Sequence, residues 1–103
     1  MGMDMNKLMQ QAQKMQEQLA QAQEEAAAQV VEASAGGGMV TVKATGAGQI
    51  TEIKIKPEAV DPDDVEVLED MVLAAVNEAM RSAESLMQSK LGGLAGGLGL
   101  PGF

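Results

Sequence analysis

The sequence predicts an α+β fold in the order α-β-β-β-α: a long N-terminal helix, a three-stranded antiparallel sheet and a long C-terminal helix. Three observations predict it. Met3 to Gln29 contains no Gly or Pro and is built from Gln, Ala, Met, Glu and Leu, all good helix formers. Residues 30–56 switch to short alternating runs separated by glycine clusters, the pattern of hairpin-linked strands. Asp61-Pro62 then opens a second helical pattern that runs to Leu91. With 103 residues, there is room for one domain, placed at residues 1–91. Half of residues 92–103 are Gly, so this segment is predicted to be a flexible Gly/Leu-rich tail.

Each element has its own signature. In the first helix Met5, Leu8, Ala12, Met15, Leu19, Ala22 and Ala26 recur at alternating steps of three and four, a heptad seam. The remaining positions are mostly Gln, so the apolar face is narrow. A helix of this length exceeds what a small sheet needs, and is expected to project or to pack against a second long helix. Val30 to Ser34 is the first strand, stopped by Ala35-Gly36-Gly37-Gly38. Val40, Val42 and Ala44 alternate with Thr41, Lys43 and Thr45, and Gly46-Ala47-Gly48-Gln49 turns the chain. Thr51, Ile53 and Ile55 alternate with Glu52, Lys54 and Lys56 before Pro57. One sheet face is thus aliphatic and the other carries lysines. Asp61 as N-cap, Pro62 at the first helical position and acids in the first turn start the last helix. Val65, Leu68, Val72, Ala75, Val76, Ala79, Ala83, Leu86 and Met87 form its broad apolar stripe.

Composition excludes several kinds of function. His, Cys, Trp and Tyr are absent, and Phe103 is the only aromatic residue. No His- or Cys-dependent nucleophile, zinc site or disulfide is available, and no aromatic platform can stack unpaired bases. The carboxylates lack a partner base, so no catalytic residue, metal or cofactor is assigned and the chain is read as a non-enzyme. Neither glycine cluster leads into a helix or carries a phosphate-loop pattern; both read as hairpin turns. A calcium loop beginning at Asp61 would need Gly at 66 and Glu at 72, where Glu66 and Val72 stand. No apolar run reaches membrane-spanning length, and Met1-Gly2-Met3-Asp4 is not read as a secretory signal. A core without aromatic side chains stabilises a small domain poorly, and a monomer would expose sheet edges. A symmetric homodimer is expected.

The ordered series Met5-Asn6-Lys7-Leu8-Met9, Gln11 to Gln16, Gly36-Gly37-Gly38-Met39-Val40, Gly46-Ala47-Gly48 and Ile53-Lys54-Ile55 continues through Asp61-Pro62 and Leu68 to Val72. It closes with Ala74 to Ala79 and Gly99-Leu100-Pro101-Gly102-Phe103. Over its whole length this resembles the YbaB/EbfC family of bacterial nucleoid-associated proteins. The resemblance implies a tweezer-like or intertwined homodimer whose protruding helices grip duplex DNA, located in the cytoplasm at the nucleoid. It implies no small-molecule substrate and no membrane partner.

Net charge is −8, unusual for a nucleic-acid-binding chain, but it is unevenly spread. Residues 1–23 are neutral, 24–35 carry −3, 36–56 carry +2 and 57–103 carry −7. Lys7 and Lys14, seven residues apart with Gln11 between them, share a helix face. Together with Arg81 and Lys90, which lie away from the Asp61–Asp70 acids, they are the expected DNA-contacting residues. Lys43, Lys54 and Lys56 on the sheet are a secondary candidate set. Binding is expected to use backbone contacts and shape with limited sequence preference. The alternative is a protein-interaction or assembly module that uses the long helices and tail, with DNA binding minor.

Overall fold

A computed structural model describes residues 4–97 and bears out the α-β-β-β-α order. Helix α1 spans Met5–Ala28, strands β1, β2 and β3 span Val30–Ala35, Val40–Thr45 and Ile50–Ile55, a 3₁₀ turn covers Pro57–Ala59, and α2 spans Val65–Gly97. The sheet is an antiparallel meander in the order β1-β2-β3. Asp4 caps α1, its side chain accepting from the Asn6 N–H at 3.0 Å.

The core is small and built from alanine and valine. Ala75, Ala79 and Ala83 recur every four residues along α2 and are buried against Ala33, Val40, Val42 and Ala44. Alanines on both sides bring the helix backbone close to the sheet, and close packing recovers dispersion energy that bulky side chains would otherwise supply. Consequently α2 lies over β1 and β2 and barely reaches β3. Ile50, Ile53 and Ile55 stay 37–45% exposed, although they share the aliphatic face with Ala44, Val42 and Val40, their cross-strand partners.

Three local features differ from the sequence expectation. Simple alternation predicts Thr51 on the aliphatic face, but a bulge at Lys43/Ala44 sets Ala44 opposite Ile50, and Thr51 instead donates its hydroxyl to the Lys43 carbonyl at 3.4 Å. The last helix begins at Val65, not Pro62. Asp61 closes a turn of its own, accepting from Asp63 N–H through the side chain and from Asp64 N–H through the carbonyl, each at 3.0 Å. At the other end α2 continues through Gly92 and Gly93 to Gly97, beyond the boundary expected at Leu91. Each interior glycine costs a helix about 1 kcal/mol relative to alanine, but Leu91 and Gly92 are half-buried, and this packing favours continuation. Residues 98–103, the remainder of the expected tail, lie outside the described residues.

Helix α1 enters the sheet at the end where α2 leaves it. Gly46, in the β2–β3 turn, donates its N–H to the Gln29 carbonyl at 3.0 Å, and a Cβ at Gly46 would overlap the Ala26 carbonyl oxygen. Ala26 is buried at this junction and α1 packs along α2. Every residue from Met5 to Gln21 is exposed, so most of α1, about 36 Å long at 1.5 Å per residue, projects as an arm. The chain measures 78 × 23 × 15 Å overall. Replacing Gly46 with Ala should destabilise the fold by about 1–3 kcal/mol, the range for overpacking, read as a lowered urea midpoint. Gly37→Ala, with open space around its Cβ position, should lose only what its left-handed backbone (φ 68°) costs a side chain, about 1–2 kcal/mol.

Candidate nucleic-acid interface

Lys7, Gln11 and Lys14 project from the exposed part of α1. At 3.6 residues per turn they fall within about 60° of one another, with Lys7 and Lys14 about 10 Å apart along the axis. Among the described residues neither lysine makes an ion pair. Their face lies about 110° around the helix from the heptad seam, so packing along the seam leaves it open. Two ammonium groups flanking an amide form a cationic strip that can contact phosphate oxygens, with Gln11 able both to donate and to accept.

The remaining expected contacts are placed differently. Arg81 is tied to Glu78 at 3.7 Å and lines a cavity of about 510 Å³ beside the β2–β3 turn with Asn77, Glu84 and Met87. Lys90 is exposed on the distal part of α2. Nine residues separate the two, two and a half helical turns, so they face opposite sides and do not form one patch. On the outer sheet face Glu52 holds both Lys43 at 3.4 Å and Lys54 at 3.9 Å, and Glu32 also stands opposite Lys43. This neutralises much of that face. Lys56, just past β3, makes no ion pair among the described residues.

Negative charge collects at the opposite end of the molecule. Glu58, Asp61, Asp63, Asp64, Glu66, Glu69 and Asp70 carry seven of the fifteen acids, and Glu58, Asp61 and Asp64 surround Met39 and Met71 beside the β1–β2 turn. No group of acids among the described residues is arranged to hold a metal ion, and no described helix is long and apolar enough to cross a membrane.

The profile of the YbaB/EbfC DNA-binding family matches residues 1–98. The chain belongs to this family. Its similarity to family relatives runs nearly end to end. A nucleoid-associated protein of Acetivibrio thermocellus is 56% identical over 99% of this chain and 91% of the relative. One from Pelotomaculum thermopropionicum is 51% identical over 100% and 98%. A crystal structure of an uncharacterised Helicobacter pylori protein superposes with a TM-score of 0.69, at 23% identity over 85% of this chain and 92% of that one, which establishes the shared fold. Among the described residues of this YbaB/EbfC chain, Lys7 and Lys14 stand unpaired on the arm, Lys56 and Lys90 stand unpaired off it, and the acids collect at the far end.

One feature had little signal in the sequence. Ile55, Leu68, Val72, Leu73 and Val76, with Glu69 at the rim, line an open groove of about 430 Å³ between α2 and β3. Leu73 is 61% exposed. Only the offset of α2 toward β1 leaves these residues uncovered. The Glu52 bridges, by contrast, are solvent-exposed pairs of the kind that contribute about 0–1 kcal/mol. Glu52→Gln should therefore change unfolding free energy by less than about 1 kcal/mol in a denaturant titration.

Proposed function

We propose that this YbaB/EbfC protein binds duplex DNA as a homodimer at the bacterial nucleoid, through phosphate contacts made by the α1 arms. The observation that carries the reading is the Lys7–Gln11–Lys14 strip on the projecting helix, with neither lysine in an ion pair among the described residues. Phosphate neutralisation supplies most non-specific DNA affinity, and the acidic pole lies at the end of the sheet remote from the arm. Two-fold symmetry would double the strip and place one arm on each side of a duplex. Lys90, on the distal part of α2, adds a further cation, whereas Arg81 is held by Glu78. With so few cations, binding is salt-sensitive and discriminates little between sequences. Such binding suits nucleoid organisation or broad regulation of expression.

The α2–β3 groove supports the dimer. An open row of Ile50, Ile53 and Ile55 beside Leu73 and Val76 is an apolar patch that monomeric proteins seldom expose, and a two-fold copy would cover it with the same surface. The paired change Ile53→Asp and Leu73→Asp should convert the protein to monomer in sedimentation at micromolar concentration. A dimer that survives both changes would place the interface elsewhere.

Exchanging Lys7 and Lys14 for Glu should weaken duplex binding about tenfold or more across unrelated sequences. It should also flatten the salt dependence of log K by up to about 4, two lysines on each of two arms, while the circular dichroism and dimer mass stay unchanged. The corresponding change at Lys54 and Lys56 should do less. A larger loss in the sheet variant would move the contact to that face. Unchanged affinity in both, together with salt-indifferent capture of a protein, would favour the assembly-module reading.

A further inference from the structure

We propose that the α1 arm carries a second self-association site, in which the arms of two copies pair through the heptad seam and close a four-helix bundle. The site is separate from the α2–β3 groove and does not depend on it. Its starting observation is exposure: Met5, Leu8, Met9, Met15 and Leu19 retain 38–69% of their surface, although α1 already packs along α2. Two helices cover only one side of such a seam. The uncovered side runs about 21 Å from Met5 to Leu19.

Three properties of the arm select another copy as the occupant. The seam repeats every 3.5 residues, a period that fits another helix of the same period and neither a sheet nor an irregular loop. Over the exposed stretch the positions flanking it, Met9, Gln11, Gln16 and Gln18, carry no charge, and the amides donate and accept equally and so match an identical partner; Glu25, beside the anchored end of the helix, is the first charged flank. In many coiled coils the flanking positions carry Glu and Lys, whose salt bridges set partner choice and orientation. Finally, the charge distribution lets copies meet here and hinders them elsewhere. Residues 4–23 are neutral and 85–97 carry +1, whereas the remainder of the chain carries −9. Like-charged bodies repel, and the arms are the region where this repulsion is least. Lys7 and Lys14, about 110° from the seam, stay on the outside of the bundle, so arm pairing and phosphate contact are compatible on one helix.

The test is sedimentation equilibrium of the full chain without DNA, over a wide concentration range, beside the variant Leu8→Gln/Met15→Gln. This variant keeps charge and helix propensity, and circular dichroism checks its fold. Above micromolar concentration, beyond the groove dimer, the wild type should show a further mass step that raised salt does not remove, and the variant should weaken that step at least tenfold. If the variant instead becomes entirely monomeric, arm pairing stands and the groove dimer falls. Identical sedimentation of the two proteins would overturn arm pairing. A second measurement uses the natural absence of cysteine. Single cysteines placed at Leu8, Ala12, Met15 and Leu19, mixed in pairs, should include a seam pairing that forms intermolecular disulfides at least tenfold faster than cysteines at Gln10 and Gln13. Equal rates at seam and off-seam positions would overturn it as well.

Discussion

The close approach of α2 to the β1–β2 half of the sheet governs the rest of this structure. It rests on alanine meeting alanine and valine: Ala75, Ala79 and Ala83 seated on Ala33, Val42 and Ala44. Small side chains remove bulk between the helix axis and the sheet, and the gain comes from packing density, since the buried area per residue is modest. A helix this close over two strands cannot also cover the third. The exposed isoleucines of β3 and the apolar groove beside Leu73 both follow from that offset.

Charge is arranged along the same long molecule with comparable economy. Acids collect where the chain enters α2, beside the β1–β2 turn, while the arm beyond the opposite end of the sheet is close to neutral and bears its lysines singly. A net charge of −8 therefore describes no particular surface. What a phosphate backbone meets depends on which end approaches, because screening confines each charge to about 8–10 Å at ordinary ionic strength.

Much of this was legible in the sequence, and the remainder has identifiable causes. Heptad steps from Met5 to Ala26, alternation from Val40 to Thr45, and glycine clusters at 36–38 and 46–48 gave the element order because local periodicity reports the buried face directly. The Lys7–Gln11–Lys14 strip was visible for the same reason. The bulge at Lys43/Ala44 was not, because it depends on pairing between strands, and the double engagement of Glu52 depends on that register. Asp61-Pro62 has every local mark of a helix start, yet the Asp61 turn captures the following N–H groups and moves the start to Val65. Gly92 and Gly93 read as a tail by propensity alone, while α2 continues through them with Leu91 and Gly92 half-buried. Arg81 and Lys90 share their distance from the Asp61–Asp70 acids, but the helical period sets them on opposite sides of α2.

The junction of Gly46 with Ala26 also has a mechanical meaning. Because α1 is anchored at its C-terminal end and also packs along α2, the direction of the arm is set at that glycine turn together with this helix pairing. A tilt of about 10° at the turn sweeps the far end of a 24-residue helix through about 6 Å. The position of Lys7 and Lys14 relative to the sheet is therefore fixed by backbone geometry at Gly46 and Ala26, many residues away from the lysines themselves.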